Sequence, residues 1–334
     1  MKQLSNSQAF IKPRANEYQK LDFFKFSPYC SFNFPIANKV ELIDTSHKKD
    51  STASILSSYS EPKSYINQLV MSSNTEIDCN KLHLFVKAGQ DGRSQGACPF
   101  CQTVFLQLLV KAKTNKFNFD VLTINVDNPP KEFKELSLKP PVLLHGSSKL
   151  LEPDSENDAV ILSDVDEIAE YLDSLYPNTP LIQDNTRAKS VSLNVFSKFS
   201  HFIRDVATKP TGLETELEKI DNFLKNLFNN DLNKVQFMNG NNQMNLVDCS
   251  LLPKLQHIRV AGESIKQFRI PDKFKFLWKY LKVSYETDSF FKSCPPDREI
   301  ICHWSKSFLS QKHLLQIVQE APYKTLAIPD DIKF

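Results

Sequence analysis

The sequence predicts an α/β unit followed by an all-helical one, and three observations carry that prediction. Short apolar runs of strand length alternate with helical patterns between Cys79 and Tyr176. The segment Tyr176-Pro177-Asn178-Thr179-Pro180 then breaks the chain. From about 186 to 319 every remaining periodic stretch reads as helix.

Residues 1–76 are rich in Ser, Asn, Lys and Pro without sustained periodicity, so they read as a disordered extension carrying a Phe-rich stretch. The first domain is expected over 77–176. It opens with a strand at 82–87, followed by a helix at 99–113. Pro99 stands at the first helical position, where a missing N–H costs nothing. A strand at 121–126, a short helix at 131–136 and a strand from Pro140 to Leu144 come next, with Pro141 a candidate cis proline. Val160-Ile161-Leu162 reads as a fourth strand, and Ser163-Asp164 opens a helix with Ile168, Tyr171, Leu172 and Leu175 on one face. This order, βαβ then two strands and a helix, is that of a thioredoxin-like unit.

The second domain, 181–320, is expected to hold helices at 187–203, 213–228, 246–260, 273–284, 288–292 and 297–310. Asn245 reads as an N-cap answered by Asp248, with Met244 and Cys249 at staple positions. The tail, 321–334, contains two prolines and reads as an irregular strap.

Cys98-Pro99-Phe100-Cys101 lies where strand and loop give way to a helix. There Cys98 faces unpaired N–H groups and the positive helix end, both of which favour thiolate over thiol. Half of a zinc site is the rival reading. Cys30, Cys79, Cys249, Cys294, Cys302 and the seven histidines offer no second pair at ligand spacing, so no metal is expected. Cys249 and Cys294 read as core residues.

Hydrophobic residues at 41% and charged ones at 24% suit a soluble globular protein, and a net charge of +2 gives no footprint for nucleic acid. No phosphate-binding glycine motif appears. The first six residues lack the apolar run of a secretory signal, so the expected compartment is the reducing cytoplasm. The longest uncharged stretch near the motif, Ser94 to Val110, is closed by Lys111, Lys113 and Lys116. Each lysine at a membrane centre costs roughly 2.5–3.5 kcal/mol, which weighs against a span. No arrangement for hydrolase chemistry can be located.

Several segments together resemble the chloride intracellular channel family, whose glutathione-transferase fold is related to the omega class. They are Cys98-Pro99-Phe100, Pro140 to Leu144, Phe196 to Ser200, Leu246 to Gly262, Leu277 to Leu281 and Phe290 to Pro295. Cys101 stands where vertebrate members usually carry serine, and the Asn229–Met244 stretch is short where they insert an acidic loop. The 231–262 region and the proline-containing C-terminal tail are more like invertebrate members. The resemblance implies a soluble protein of that fold that associates conditionally with membrane lipid and conducts chloride, regulated through Cys98. It implies glutathione-dependent oxidoreductase activity as an alternative, and a non-catalytic scaffold as a third reading. Self-association on oxidation or in membranes is also open. Cys98 would be the nucleophile and Cys101 the resolving thiol. Glutathione would meet Pro99, Phe100, Pro141, the backbone of Val142, Ser163 and Asp164. Asp164 reads equally well as a plain N-cap. The family's membrane segment would fall at about 97–121, where the lysines and Asp120 oppose a single-helix span.

Overall fold

The computed structural model describes residues 81–148, 151, 159–305 and 310–334, so the expected extension at 1–76, with Cys30, and also Cys79, lies outside the described residues. The first half contains β1 (Leu82–Lys87), α1 (Pro99–Asn115), β2 (Phe119–Ile124), α2 (Lys131–Glu135), β3 (Val142–His145), β4 (Val160–Leu162) and α3 (Val165–Leu175). The strands form one sheet in the order β2-β1-β3-β4. β1 and β2 are parallel, and β3 runs antiparallel to both β1 and β4.

β1 is central, and its two faces supply two cores. Leu82, Leu84 and Val86 join the large core that contains α1, while Phe85 packs edge-on against Phe133 of α2 beside Ile124, Val142 and Leu144. Burial on both faces is why this strand reads as a nearly unbroken apolar run. β2 starts at Phe119, two residues before the expected position. Its pairing with β1, from Leu82 opposite Phe119 to Lys87 opposite Ile124, leaves Asn125 and Val126 past the end of the ladder.

α1 is buried on every side between Val104 and Lys111, the mark of a core helix rather than an amphipathic surface one. It ends at Lys116 in the left-handed region, φ 55°. Lys111 is fully buried; its ammonium donates to the carbonyl of Tyr176 at 2.8 Å and pairs with Asp173 at 2.5 Å. The Asp173 carboxylate also accepts the N–H groups of Leu181 and Ile182, at 2.8 and 2.9 Å. One buried ion pair thus ties α1, α3 and the proline-rich connection together.

The helical half comprises α4 (Thr186–Ser192), α5 (Val195–Ile203), α6 (Thr211–Leu227), α7 (Leu246–Lys266), α8 (Lys275–Tyr285), α9 (Asp288–Ser293), α10 (Asp297–Ser305) and α11 (Gln311–Glu320). The single helix expected at 187–203 is two, broken at Leu193 and Asn194. Leu193 is half exposed there. Of the helix expected over 297–310, α10 is described over Asp297–Ser305, while Ser310 lies outside it as the cap of a separate helix, α11. α7 runs six residues past the expected 260 and packs against α1, α5 and α10.

The start of α7 is as its sequence suggests. Asn245 and Asp248 make a reciprocal capping box. Asp248 is fully buried, and it also accepts the Met238 N–H at 2.9 Å and the Tyr280 hydroxyl at 2.8 Å. Burial pushes its carboxyl up to about 6 despite these donors. The segment after α11 crosses α7 and α10 as an irregular strap. Thr325 donates its N–H and hydroxyl to Asp297, at 2.9 and 2.5 Å, while the side chains of Gln256 and Arg259 donate to the Thr325 carbonyl. Arg259 also donates to the Ala327 carbonyl, and Ile332 is buried.

Candidate functional site

The connection from β1 to α1 delivers Cys98. It folds on itself through hydrogen bonds from Gly89 N–H to the Ser94 carbonyl (2.7 Å) and from Gly96 N–H to the Lys87 carbonyl (2.8 Å). Asp91 organises its tip, accepting the N–H groups of Arg93 and Ser94. Gly96 must be glycine, because a Cβ there would stand 2.4 Å from the Ala88 carbonyl oxygen. The backbone then reaches Cys98, the N-cap of α1, with Pro99 at the first helical position. The expected strand–loop–helix setting is therefore present.

Cys98 is half-buried and Cys101 buried. The Cys98 thiol is pulled down from 9.0 to about 7, chiefly by a hydrogen bond from the Cys101 side chain. Burial opposes this, while the N–H groups of Cys101 and Phe100 and the charge of Lys87 add to it. Cys101 is pushed well up, first by burial and then by its bond to Cys98 and the Cys98 charge. Its sulfur also receives the Lys87 N–H at 3.4 Å. The pair divides one labour: the Cys98 thiol is the one that ionises near neutral pH, and Cys101 holds the proton that stabilises the Cys98 thiolate.

The sheet register brings the other sequence-predicted residues to the same end of the sheet. β1 ends at Lys87, beside Cys101. β3 runs the opposite way, so its first residue, Val142, pairs with Phe85 near that end. The bond between Pro140 and Pro141, immediately before it, is cis. β4 runs antiparallel to β3 and finishes there too, with Leu162 opposite Leu143. Val142 thus lies one residue beyond the last β3–β4 pair, and Ser163 and Asp164 follow directly from β4. Asp164 caps α3, its Oδ1 accepting the N–H groups of Asp166 and Glu167 at 2.9 and 3.1 Å. Both Ser163 and Asp164 are exposed, as is Phe100 beside Cys98. Pro99, Pro141 and Val142 are buried.

Some participants are invisible to a motif reading. Gln95 donates its side-chain amide to the Ser293 carbonyl at 2.7 Å, and the buried carboxylate of Glu299 accepts the Gln90 N–H at 3.0 Å. Both tie the loop before Cys98 to the helical half, some two hundred residues away in sequence. The only local sign of either is an acidic residue in the first turn of α10. Burial pushes the Cys249 thiol well up and that of Cys294 to about 12, which leaves both as packing residues. Among the described residues no group of His, Cys, Asp and Glu is arranged to hold a metal ion, and no helix is long and apolar enough to cross a membrane.

Comparisons with known proteins agree with this fold. A CLIC-like N-terminal domain model matches residues 80–175. Chloride intracellular channel Clic of Drosophila melanogaster is 30% identical over 267 residues, which cover 78% of this chain and 94% of that protein. The crystal structure of the CLIC homologue EXC-4 from Caenorhabditis elegans superposes with a TM-score of 0.60 at 27% identity, covering 76% of this chain and 95% of its own. Dehydroascorbate reductase of Chlamydomonas reinhardtii follows at 0.58 and 26% identity, covering 69% of this chain and 99% of its own. Glutathione transferase Omega 1C from Trametes versicolor shares the fold at 16% identity and a TM-score of 0.51, with 69% of this chain and 97% of that one covered.

Proposed function

Because this chain belongs to the chloride intracellular channel family and has a glutathione-transferase fold, we propose that it acts in the cytoplasm through Cys98 as a glutathione-dependent thiol–disulfide oxidoreductase. The observation that carries the reading is the unequal pair of thiols, Cys98 held near neutrality and Cys101 kept protonated. A thiolate at the operating pH is the form that attacks a disulfide.

Glutathione would lie along the sheet end. Its peptide would meet Pro99, Phe100, the cis Pro141 and the Val142 backbone, and its γ-glutamyl group Ser163 and Asp164. Both cap bonds of Asp164 use Oδ1, so an amine would approach Oδ2. In the first step the Cys98 thiolate attacks the glutathione sulfur of a mixed disulfide, and the substrate leaves as its thiolate. A second glutathione thiolate then attacks the Cys98 adduct, releasing oxidised glutathione and restoring the Cys98 thiolate. Cys101 offers an alternative second step. Once Cys98 is in a disulfide its charge is gone, and with it one cause of the raised Cys101 value. Cys101 can then lose its proton to the departing glutathione and close a bond to Cys98.

The C. reinhardtii relative is named for dehydroascorbate reduction, which makes dehydroascorbate the first small oxidant to try. Two glutathiones supply its two electrons and two protons, giving ascorbate and oxidised glutathione. The full chain should turn over dehydroascorbate or a glutathionylated peptide, and Cys98→Ser should not. Turnover that survives Cys98→Ser, or no Cys98 adduct in mass spectra after exposure to oxidised glutathione, overturns the reading.

Conditional membrane association with chloride conduction is the second role, and the observation favouring it is the naming of the D. melanogaster relative. Chloride efflux from anionic vesicles at neutral and mildly acid pH, with and without oxidation, tests it. Absence of both binding and efflux under every condition removes that role.

A further inference from the structure

We propose that Glu299 is a positioning residue for the reactive cysteine: from α10 it clamps the loop that carries Cys98 and so fixes the N-cap geometry on which that thiol depends. The inference rests on the reading of Cys98 as the working thiol.

The loop from Ala88 to Ala97 closes on itself through a β-bridge between Ala88 and Gln95, and its ends are fixed to the sheet by the Ala88 N–H on the Ile124 carbonyl and the Gly96 N–H on the Lys87 carbonyl. Its outer part is held from three directions. Thr123 of β2 donates its hydroxyl to the Arg93 carbonyl at 2.6 Å, Gln95 reaches the Ser293 carbonyl, and Gln90 gives its N–H to Glu299 Oε2 at 3.0 Å. Of these anchors Glu299 is the one that takes a charge out of water: the residue is only 4% exposed, with Arg298 Nε 3.8 Å from its other oxygen. A carboxylate buried to this extent is stabilised by the donors it accepts, and removing the acceptor leaves a backbone N–H without its partner. The contact is also close in shape. A Cβ at Gly89 would meet Glu299 Oε2 at 2.8 Å, so the carboxylate lies against bare backbone.

The groups acting on Cys98 are Cys101, the first N–H groups of α1 and Lys87. All depend on how the chain enters the helix. The Cys98 N–H bonds back to the Gly96 carbonyl at 3.1 Å, and Gly96 bonds back to Lys87, so a shift of the loop is passed directly to the cap. The negative charge of Glu299 would by itself oppose a thiolate nearby. Its contribution is therefore reach and hydrogen bonding, and that separates it from a group tuning Cys98 by charge.

The test is the rate of Cys98 alkylation against pH in the full chain, mapped by mass spectrometry, with the melting temperature recorded for each variant. Glu299→Gln keeps a carbonyl oxygen at the same reach, and its midpoint should stay near the parent value. Glu299→Ala and Glu299→Asp both withdraw the acceptor, the second while keeping the charge, and each should move the midpoint up by about one unit towards the ordinary cysteine range. An unchanged midpoint in both Ala and Asp variants, or an equal shift in the Gln variant, overturns the assignment whatever happens to the melting temperature. Should the Ala variant fail to fold, the Asp and Gln variants decide alone. A parent chain whose Cys98 titrates like an ordinary cysteine would instead overturn the functional reading on which this one rests.

Discussion

Replacing Lys111 by methionine should cost less than removing its partner, although both changes break the same ion pair. Lys111 is fully buried, whereas the Asp173 side chain is 17% exposed. Without Lys111, Asp173 keeps the N–H groups of Leu181 and Ile182 and some contact with water. Without Asp173, the ammonium is left in the core with only the Tyr176 carbonyl, and two linker N–H groups lose their acceptor. Removing one partner of a buried pair typically costs about 3–5 kcal/mol. Lys111→Met, with an apolar chain of similar length filling the space, should fall below that range at about 2 kcal/mol, and Asp173→Ala should lie at its top. The double variant should cost less than the sum, because the second change no longer orphans a charge. Urea unfolding, compared by midpoint at constant slope, measures all three. A Lys111→Met loss equal to or greater than that of Asp173→Ala, or strict additivity, would refute the argument. The same substitution also removes about 2.5–3.5 kcal/mol from the cost of burying α1 in lipid. Lys111→Met should consequently increase flotation with anionic vesicles if α1 is the segment that enters them.

Two further predictions follow from the ionisation of buried groups. Cys101→Ala should raise the Cys98 alkylation midpoint above about 7, while Cys101→Ser, which retains a donor, should keep most of the depression; equal behaviour of the two would deny Cys101 its role. Acid stability should reflect opposing contributions from His257 and Asp248. His257 is buried and held well below 6.5 by burial and by His303, so the stability from keeping it neutral is present above 6.5 and is lost as pH falls towards its folded value. Asp248 is raised from 3.8 to about 6, so its contribution is full below 3.8 and is lost as pH rises through about 6. His257→Gln should flatten the fall of melting temperature between neutral and mildly acid pH, and Asp248→Asn should steepen it; no change in either slope would refute the assignments.

The local signals were readable where neighbours in sequence are neighbours in space. Pro99 at the start of α1, the capping box of Asn245 and Asp248, and the cap at Asp164 are all decided within one helical turn. The Leu193–Asn194 break was not readable, because no proline or glycine marks it. The start of β2 depends on its ladder with β1, which no local pattern specifies. Lys111 shows the same limit in energetic form. Hydropathy treats it as a cost, and its partner, Asp173, comes sixty-two positions later, from a different helix. At the site, the two thiols could be seen in the motif, but their unequal roles required Cys101 to be buried and the Lys87 backbone to reach it. Glu299 carried no signal beyond its charge.

The strap changes how sequence variation in this protein should be weighed. A coil near the end of a chain is ordinarily where substitutions are tolerated and proteases cut first. Here the coil supplies carbonyls to Arg259 and a hydroxyl to the carboxylate of Asp297, both residues largely removed from water. A change such as Thr325→Ile leaves a buried acceptor short of one donor and belongs with core variants in its consequences. By the same reasoning, peptide bonds around Thr325 should outlast those of the exposed Val206 turn during limited digestion, although neither segment is helix or strand.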